Sequence, residues 1–346
     1  MKSLLVLGKG DTPYSDRNRA RLVDYAKKAG FDVQQADHHE IGKVSGFGSE
    51  TVNVMFFFPF TFWNANCEVP KDTGLYGTSR EAYEKFRDHF RDVGDQLGQR
   101  FKGHRLHYAI APESAPIDRD KVETINRLRA PGVPTSESVP YDSLGDIIDG
   151  VTPERGVFIK CRYGAEGKGI TSLHHGKWVT NYRVEGTGLT NYGVYGKWPF
   201  TDITGREDLL RQLLEREVIV EREILSPNRF SGMKFDLRAF VIGRKVPHLF
   251  IRVNAIENVV TNYSQGAVVK HHPETGLGGQ CLRLVRQIAR KAADAMGLGY
   301  AGVDIMFDGH LSNPKVVEVQ AFTDFPDITK FDLTRYMIGE KSGLFI

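Results

Sequence analysis

The hydrophobic positions of the first 112 residues alternate between short apolar runs and segments with helical spacing. Apolar runs of this length predict strands, and a period of about 3.6 residues predicts helices. The predicted strands are SLLVLG (3–8), FDVQQAD (31–37), TVNVMFFF (51–58) and LHYAIAP (106–112), with helices at 15–30 and 79–100. The third run is almost continuously apolar, as is typical of a strand covered on both faces. This order predicts an open parallel sheet.

The pattern changes near residue 118, where strands and helices no longer alternate regularly. The segment DRDKVETINRLRAPGVPTSES predicts a helix that ends at a Pro-Gly pair and continues as a short extended stretch. The elements predicted after it are strands GVFIKCR (156–162) and GITSLHH (169–175), a helix at 205–216 and the strand VIVEREI (218–224). Residues 176–203 are rich in Gly, Tyr, Trp and Asn without a helical period, which predicts a long loop or irregular hairpin.

The last third of the chain predicts an antiparallel sheet with one prominent helix. Four strands are predicted, namely FDLRAFVIGRKV (235–246), PHLFIRVNAI (247–256), AGVDIMFD (301–308) and KVVEVQAF (315–322). Residues 279–297 have apolar positions at helical spacing and end in Gly297. These changes of pattern predict three domains, at residues 1–117, 118–218 and 219–346.

Length and charge narrow the class of protein. A chain of 346 residues is too long for one ordinary domain, which favours two or three domains that share a cleft. A net charge of +3 is too weak to favour nucleic acid or a membrane surface as the partner. No stretch approaches the roughly 20 apolar residues that span a bilayer. The short apolar run at the start predicts a buried first strand, not a signal peptide.

The cysteines and histidines give no sign of a metal or nucleophilic site. Cys67, Cys161 and Cys281 are far apart and odd in number, so they predict neither a disulfide framework nor a metal site and favour a reducing cytoplasm. The histidine pairs 38–39, 174–175 and 271–272 lie in polar contexts, which predicts that all three are at the surface.

Residues 160–170, KCRYGAEGKGI, combine two lysines at the ends with glycines at 164, 167 and 169. A P-loop requires G-x-x-x-x-G-K-[ST], and the dinucleotide fingerprint is G-x-G-x-x-G; neither pattern is present. A flexible glycine loop beside a lysine still suits phosphate, because bare amides and an ammonium group can approach an anion closely. The alternative is an ordinary glycine-rich hairpin turn.

The two last predicted strands form a hairpin whose faces differ. Since side chains alternate across a strand, one face would be the core face and the other polar. The core face is predicted to carry Val303, Ile305, Phe307, Val317 and Val319. The polar face is predicted to carry Asp304, Glu318 and Gln320. Two carboxylates and an amide oxygen suit magnesium that carries phosphates, whereas the alternative is a solvated polar face.

Basic residues precede this hairpin. Lys234, Arg238 and Arg252 lie on the strands just before it, and Asn262 follows in VTNYSQGA. They suit an anion site, and the alternative makes them solvated charges or partners of Asp236 and Glu257. The strand VIVEREI, which ends at Ile224, carries Glu221 and Glu223 in an apolar stretch. Its backbone groups suit adenine, with one of the two glutamates accepting from the adenine amine. The alternative is an ordinary exposed strand.

The order of these motifs resembles the ATP-grasp superfamily over roughly residues 118–328. The matching positions are Lys121 in DRDK, Lys160 before GAEGKG, Glu221 in the hinge, Lys234 and Arg238 in KFDLR, Arg252, Asn262, Asp304 and Glu318 in EVQ. KFDLR and TNYSQG are similar to motifs of tubulin tyrosine ligase-like enzymes. The hairpin and Arg252 are equally similar to those of ribosomal-protein glutamate ligases and glutathione synthetases. Gln320 departs from the family, which usually has Asn there.

The resemblance implies an ATP-grasp fold of the α/β (α+β) class, in which two α+β subdomains that clasp ATP follow an N-terminal open parallel sheet. It also implies ATP with two Mg²⁺ ions, and amide formation from a carboxylate and an amine through an acyl phosphate. Lys121 and Lys160 would bind the α- and β-phosphates, and the 164–169 loop would close over them. Arg252 would lie at the γ-phosphate, with Lys234, Arg238 and Asn262 completing the anion site.

Substrate identity is not implied by the resemblance. The segment PFTFWNANCE follows a predicted parallel strand, where open sheets bind ligands, so Trp63, Asn64, Asn66 and Glu68 are candidate substrate residues. The alternative is an aromatic loop that packs on its own domain. The substrates would be small-molecule or peptide carboxylates and amines, and a homodimer is the base-rate expectation. A kinase of the same superfamily and a synapsin-like ATP-binding protein are the alternative functions.

Overall fold

The computed structural model describes most of the chain. The described residues are 1–8, 13–67, 79–164, 167–191, 198–227, 230, 232–262, 265–271, 276–323 and 331–346, without the side chains of 13–15. No helix in these ranges combines the length and apolar character needed to cross a bilayer.

The N-terminal part is a four-stranded, all-parallel sheet with the strand order β2-β1-β3-β4. Its elements are β1 (Ser3–Leu7), α1 (Pro13–Lys28), β2 (Asp32–Ala36), β3 (Thr51–Phe56), α2 (Phe60–Asn66), α3 (Arg80–Arg100) and β4 (Arg105–Tyr108). Every residue of β1 is buried, as is typical of a parallel strand that is covered on both faces. The predicted parallel sheet is confirmed, although α2 lies in a segment for which no helix was predicted.

The central part is an antiparallel sheet of five short strands in the order β10-β7-β6-β5-β11. Its elements are α4 (Lys121–Arg129), α5 (Leu144–Asp149), β5 (Val157–Cys161), β6 (Ile170–His174), β7 (Lys177–Thr180), β8 (Arg183–Glu185), β9 (Gly188–Thr190), β10 (Thr201–Asp202), α6 (Glu207–Leu214) and β11 (Val218–Arg222). The prediction of a long loop or irregular hairpin at 176–203 was too coarse, since the described part of this segment contains four short strands. Strands this short lack the alternation that reveals a strand in sequence.

The C-terminal part is a second antiparallel sheet, with the order β14-β13-β12-β15-β16. Its elements are β12 (Met233–Ile242), β13 (Lys245–Ala255), β14 (Val268–His271), α7 (Gly279–Ala295), β15 (Tyr300–Phe307), β16 (Pro314–Gln320) and α8 (Leu333–Ile338). The apolar stripe of α7 packs on this sheet.

One predicted side-chain direction is wrong in the terminal hairpin. Asp304 pairs with Glu318, whereas Ile305 pairs with Val316, so Val317 is an extra residue in a β-bulge. Val317 is therefore exposed, and Val316 takes the core position that was predicted for it. Asp304 and Glu318 still lie opposite each other.

The buried apolar side chains form two cores. The N-terminal and C-terminal sheets share one, and the central sheet has its own. The backbone of Ile346 exchanges two hydrogen bonds with the side chain of the buried Asn53 on β3 of the N-terminal sheet. The cleft described below lies between the two cores. The division at residues 117 and 218 stays a prediction.

The prediction of surface histidines is wrong for His38. His38 is 3% exposed and stacks on His89, and burial, with the neighbouring His89 ring next, lowers its pKa to about 3. The polar residues around His38 in the sequence gave the wrong prediction, because a turn of 3₁₀ helix at His38–Lys43 points this side chain inward. His39 and His175 are exposed, as predicted, and His272 lies outside the described residues.

Candidate active site

A cleft between the central and C-terminal sheets collects most of the predicted site residues. Those that line it are Lys121, Lys160, Gly164, Gly167, Glu221, Ile224, Lys234, Asn262, Asp304 and Glu318. The apolar part of its wall includes Phe158, Ile170, Ile219 and Met306. Arg238, Arg252, Gly169 and Gln320 are not part of this lining, and the two arginines contact it through the carboxylates of Asp236 and Asp304.

The two lysines that flank the central sheet are held by specific partners. Lys121 is the first residue of α4, a helix capped by the Asp120 carboxylate, and its Nζ donates to the Gly164 carbonyl at 2.5 Å. Burial lowers the pKa of Lys121. On β5, Lys160 Nζ lies 2.5 Å from Glu221 Oε2. Both ammonium groups are thereby fixed at the cleft wall.

The Glu221 carboxylate is bonded to other side chains of the protein. It is 5% exposed, bonded by the Ser136 hydroxyl and paired with Lys160. Burial alone would raise its pKa, but the charge of Lys160 and these hydrogen bonds lower it. Its carboxylate therefore orients Lys160, and the predicted contact of Glu221 with an amine of adenine stays a prediction.

The backbone after β11 offers an unused donor. The amides of Glu223 and Leu225 are bonded to the Gly156 carbonyl and to Asp308 Oδ1, at 3.0 and 3.2 Å. Between them, the amide of Ile224 bonds to none of the described residues. With Phe158 and Met306 nearby on the cleft wall, this donor suits the edge of a flat heteroaromatic ring.

The glycine-rich loop is described at its two ends, while residues 165–166 lie outside the described part. Gly167 has φ +74°, and a Cβ there would lie 2.9 Å from Asn262 Nδ2. Gly169 has φ +68°, and a Cβ there would meet Cys161 and the Tyr182 hydroxyl. The buried Asn181, which the sequence did not reveal, donates to the Gly167 carbonyl at 2.6 Å. Glycine is thus required by both conformation and space.

A buried network of two arginines and two aspartates supports the terminal hairpin. Arg238 and Arg252 both bond Asp304 Oδ2, at 2.8 and 2.9 Å, and Arg252 bonds Asp236 at 2.6 and 2.7 Å. Burial would raise the pKa of Asp304, but the two arginines lower it to about 2. The pairing of Arg252 with Asp236 agrees with the alternative interpretation of the sequence, in which the basic strand residues pair with nearby carboxylates.

Glu318 and Gln320 complete the polar face. Glu318 is half-buried opposite Asp304, and Gln320 Nε2 donates to Glu318 Oε2 at 3.1 Å. The described residues contain no group of three His, Cys, Asp or Glu side chains arranged around a cation. Two adjacent carboxylates with an amide beside them are nevertheless hard oxygen donors, so the set fits one magnesium ion.

Lys234 supplies a positive charge without a bonded partner. It lies on β12 at the cleft, and its ammonium group makes no hydrogen bond or ion pair with the residues that the structure describes. Burial lowers its pKa to about 8, and Glu223 and Glu257 oppose this shift from a distance. An anion bound in the cleft would find this ammonium available.

The described candidate substrate residues of the N-terminal part are not among the residues that line the cleft. Trp63 is 6% exposed and packs on Phe58 and Phe86, as the alternative interpretation expects. Asn64 and Asn66 are exposed on α2, and Asn66 donates to the Phe62 carbonyl of the same helix. Glu68 lies outside the described residues. A substrate role for these positions stays a prediction.

The chain is similar in sequence to two curated ligases. No family model matches the chain. It is 27% identical over 200 residues, 57% of its length and 52% of the relative's, to tetrahydromethanopterin:α-L-glutamate ligase of Methanosarcina acetivorans. The identity to the same-named enzyme of Methanococcus maripaludis is 23% over 260 residues, 72% of this chain and 76% of that one. The chain thus spans only about half of the first of these relatives.

Solved structures identify the fold. The ATP-grasp ligase PsnB, solved with a phosphomimetic precursor variant, Mg and ADP, superposes with a TM-score of 0.58 at 15% identity, over 97% of this chain and 96% of that one. D-alanine–D-alanine ligase of Bacillus anthracis superposes with a TM-score of 0.52 at 14% identity, over 99% and 95%. The chain therefore has the ATP-grasp fold that its motif order predicts.

Proposed function

We propose that the protein is an ATP-dependent ligase that joins a carboxylate to an amine and releases ADP and phosphate. The observation that carries this proposal is the single cleft in which Lys121, Lys160, Lys234 and the carboxylates Asp304 and Glu318 converge from distant parts of the chain. The names of the relatives, which are ligases, support the same reaction class.

ATP would lie along the cleft with its adenine at the apolar wall. Phe158, Ile170 and Met306 provide surfaces for a flat ring, and the Ile224 amide provides a donor for a ring nitrogen. Lys121 and Lys160 would contact the α- and β-phosphates, since both ammonium groups are fixed beside the glycine-rich loop. Glycines at 164, 167 and 169 allow the backbone to approach an anion closely.

Magnesium would bind at Asp304 and Glu318, with Gln320 turning its amide oxygen inward. A magnesium ion held by these residues would supply positive charge that offsets the negative charge of the nucleotide phosphates. Arg238 and Arg252 hold the Asp304 carboxylate in place, so this oxygen donor is oriented before any ligand arrives. The resemblance implies two magnesium ions. The two carboxylates of Asp304 and Glu318 support the binding of one ion, and a second ion would require further ligands.

The reaction would proceed in two transfers. An oxygen of the substrate carboxylate attacks the γ-phosphorus and ADP leaves; the amine then attacks the acyl carbon, phosphate leaves, and the amine gives up a proton. Lys234 would hold the transferring phosphoryl group, which is supported by its position at the cleft and by the absence of a bonded partner of its ammonium group among the described residues. Arg252 was predicted to lie at the γ-phosphate, but its positive charge is already paired with the carboxylates of Asp236 and Asp304. We therefore propose that Arg252 acts mainly by positioning Asp304.

The test is to incubate the protein with ATP, Mg²⁺, a set of carboxylic acids and hydroxylamine as the amine. We expect ADP, phosphate and an acyl hydroxamate in equal amounts by mass spectrometry. Lys160→Met should lower this rate by at least about 100-fold, whereas Lys85→Met, which changes an exposed lysine paired with Glu81, should not. A stable phosphorylated product would instead identify a kinase. Release of AMP and pyrophosphate would identify another class of ligase, and the absence of turnover would identify an ATP-binding protein.

A further inference from the structure

The start of the glycine-rich loop is in contact with the first turn of α3, a helix of the N-terminal part. Tyr163 directly precedes Gly164, and its ring stacks on that of Tyr83 with the ring centres 5.1 Å apart and an angle of 23° between the planes. Tyr163 is 2% exposed, so this contact is shielded from water. A side chain of the N-terminal part therefore touches the residue at which the loop begins.

Charged side chains surround the same ring. Arg80, the first residue of α3, pairs with Glu217, and its Nε lies 3.1 and 3.2 Å from the two carboxylate oxygens. The guanidinium of Arg80 also lies 5.9 Å from the ring centre of Tyr163. The guanidinium of Arg162 lies 4.8 Å from that centre and pairs at 2.7 Å with Asp120, the N-cap residue of α4. Such contacts of cations with an aromatic ring are attractive.

The backbone on both sides of Tyr163 is bonded to groups at the cleft. The amide of Arg162 donates to the Glu217 carbonyl at 2.9 Å, and the Arg162 carbonyl accepts from the amide of Lys121 at 3.1 Å. On the other side, the Gly164 carbonyl accepts from Lys121 Nζ. A displacement of Tyr163 would therefore also displace the first glycine of the loop and the ammonium group of Lys121.

The contact of α3 with Tyr163 crosses the boundary between separately packed parts of the molecule. The central sheet has its own apolar core, whereas the N-terminal and C-terminal sheets share the other. Tyr163 is buried but belongs to neither core. Because the two cores are separate, contacts across the boundary help to set the position of the central sheet and its loop.

We propose that Arg80 and Tyr83 are positioning residues for the nucleotide. From the N-terminal part, they hold Tyr163 and the start of the glycine-rich loop in the conformation that binds the phosphates of ATP. This inference rests on the proposed ATP-dependent function. A contact that strengthens nucleotide binding is itself strengthened by the nucleotide to the same extent. Binding in the cleft therefore stabilises the first turns of α3, although Arg80 and Tyr83 do not line the cleft.

The experiment measures the Kd of the ATP analogue AMPPNP with Mg²⁺ by isothermal titration calorimetry. Tyr83→Ala should raise this Kd about fivefold to tenfold, whereas Tyr83→Phe, which keeps the stacked ring, should leave it nearly unchanged. Arg80→Gln and Glu217→Gln should each raise it about threefold, because an exposed ion pair contributes little. The double variant should bind no more weakly than either single variant, since both changes remove the same pair.

Arg91→Gln is the matched control, because Arg91 is an exposed arginine further along α3 that pairs with Asp88 of the same helix. It should bind AMPPNP like the wild type. Hydrogen exchange gives a second measurement that a role in stability alone would not change. AMPPNP should slow the exchange of amides 82–88 in the wild type and in Tyr83→Phe, and it should have no such effect in Tyr83→Ala.

An unchanged Kd for Tyr83→Ala, an equal rise for Tyr83→Phe, or an exchange of the α3 amides that AMPPNP does not alter would overturn the proposal. Circular dichroism shows whether each variant is folded. If Tyr83→Ala does not fold, Arg80→Gln decides, because it changes an exposed side chain. These outcomes do not affect the ligase function, which the hydroxylamine reaction tests on the wild type. A wild type that does not bind AMPPNP would overturn both proposals.

Discussion

At the scale of single residues, Lys234 links the chemistry of the cleft to pH. Burial lowers its pKa to about 8, so the side chain is a cation below that pH and becomes neutral above it. If the cation binds the transferring phosphoryl group, kcat/KM for ATP should fall about tenfold per pH unit above pH 8. Lys234→Arg should remove this decline, because an arginine stays charged.

The measurement is the pH profile of ADP release between pH 6 and 10. Lys85→Met provides the control, since Lys85 is exposed on α3 and should leave the profile unchanged. A wild-type profile that is flat from pH 7 to 10 would contradict the assignment of Lys234.

Glu318 and Gln320 differ in what they would contribute to a cation. Glu318→Ala removes a charge opposite Asp304 and should lower turnover at least about 100-fold while leaving the fold intact. Gln320→Asn retains an amide on a shorter arm and should keep substantial activity, whereas Gln320→Ala should raise the magnesium requirement. The measurement is turnover against magnesium concentration, with Glu81→Ala as the exposed control. Normal turnover by Glu318→Ala would mean that the hairpin is only a polar face.

At the scale of elements, the glycine-rich loop approaches the segment between β13 and β14 at Gly167. Gly167→Ala adds a Cβ close to Asn262 and strains a positive φ, whereas Gly186→Ala at φ +61° meets no atom within 4 Å. Both substitutions should cost about 1–2 kcal/mol of unfolding free energy from the backbone alone. Only Gly167→Ala should also raise KM for ATP. Denaturant unfolding and steady-state kinetics test this, and equal KM values for the two variants would exclude a role of the loop in binding.

At the scale of the whole molecule, Asp308 joins the two halves of the cleft. It follows β15, pairs with Arg155 of the central part at 3.0 Å, and accepts from the amide of Leu225 at 3.2 Å. We expect Asp308→Ala to raise KM for ATP roughly fivefold, because the hinge that presents the Ile224 amide loses an anchor. Asp308→Asn should have a smaller effect, since it keeps the acceptor.

ATP-analogue affinity and kcat are the quantities to compare for this pair. Arg155→Met should match Asp308→Asn, because each removes only the partly exposed ion pair. Arg211→Met, which breaks an exposed pair on α6, is the control. Should Asp308→Ala bind AMPPNP as tightly as that control, the hinge is positioned by other contacts.

The sequence by itself determined the fold class, the order of the longer elements and several of the charged residues that line the cleft. Periodicity revealed the parallel sheet, α7 and the long strands, because alternation and helical spacing are local properties. Asp304 and Glu318 were assigned to one face of the terminal hairpin on the same ground. The glycines of the loop were recognisable because their freedom at positive φ is a property of the residue itself.

Only the tertiary structure decided which charges are paired and which are available. Arg252 and Lys234 are both basic strand residues in sequence, yet the fold neutralises the first between two aspartates and leaves the second without a bonded partner among the described residues. The bulge at Val317 and the burial of His38 likewise depend on contacts between distant segments. Pairing and burial are set by these contacts, and no local pattern in the sequence encodes them.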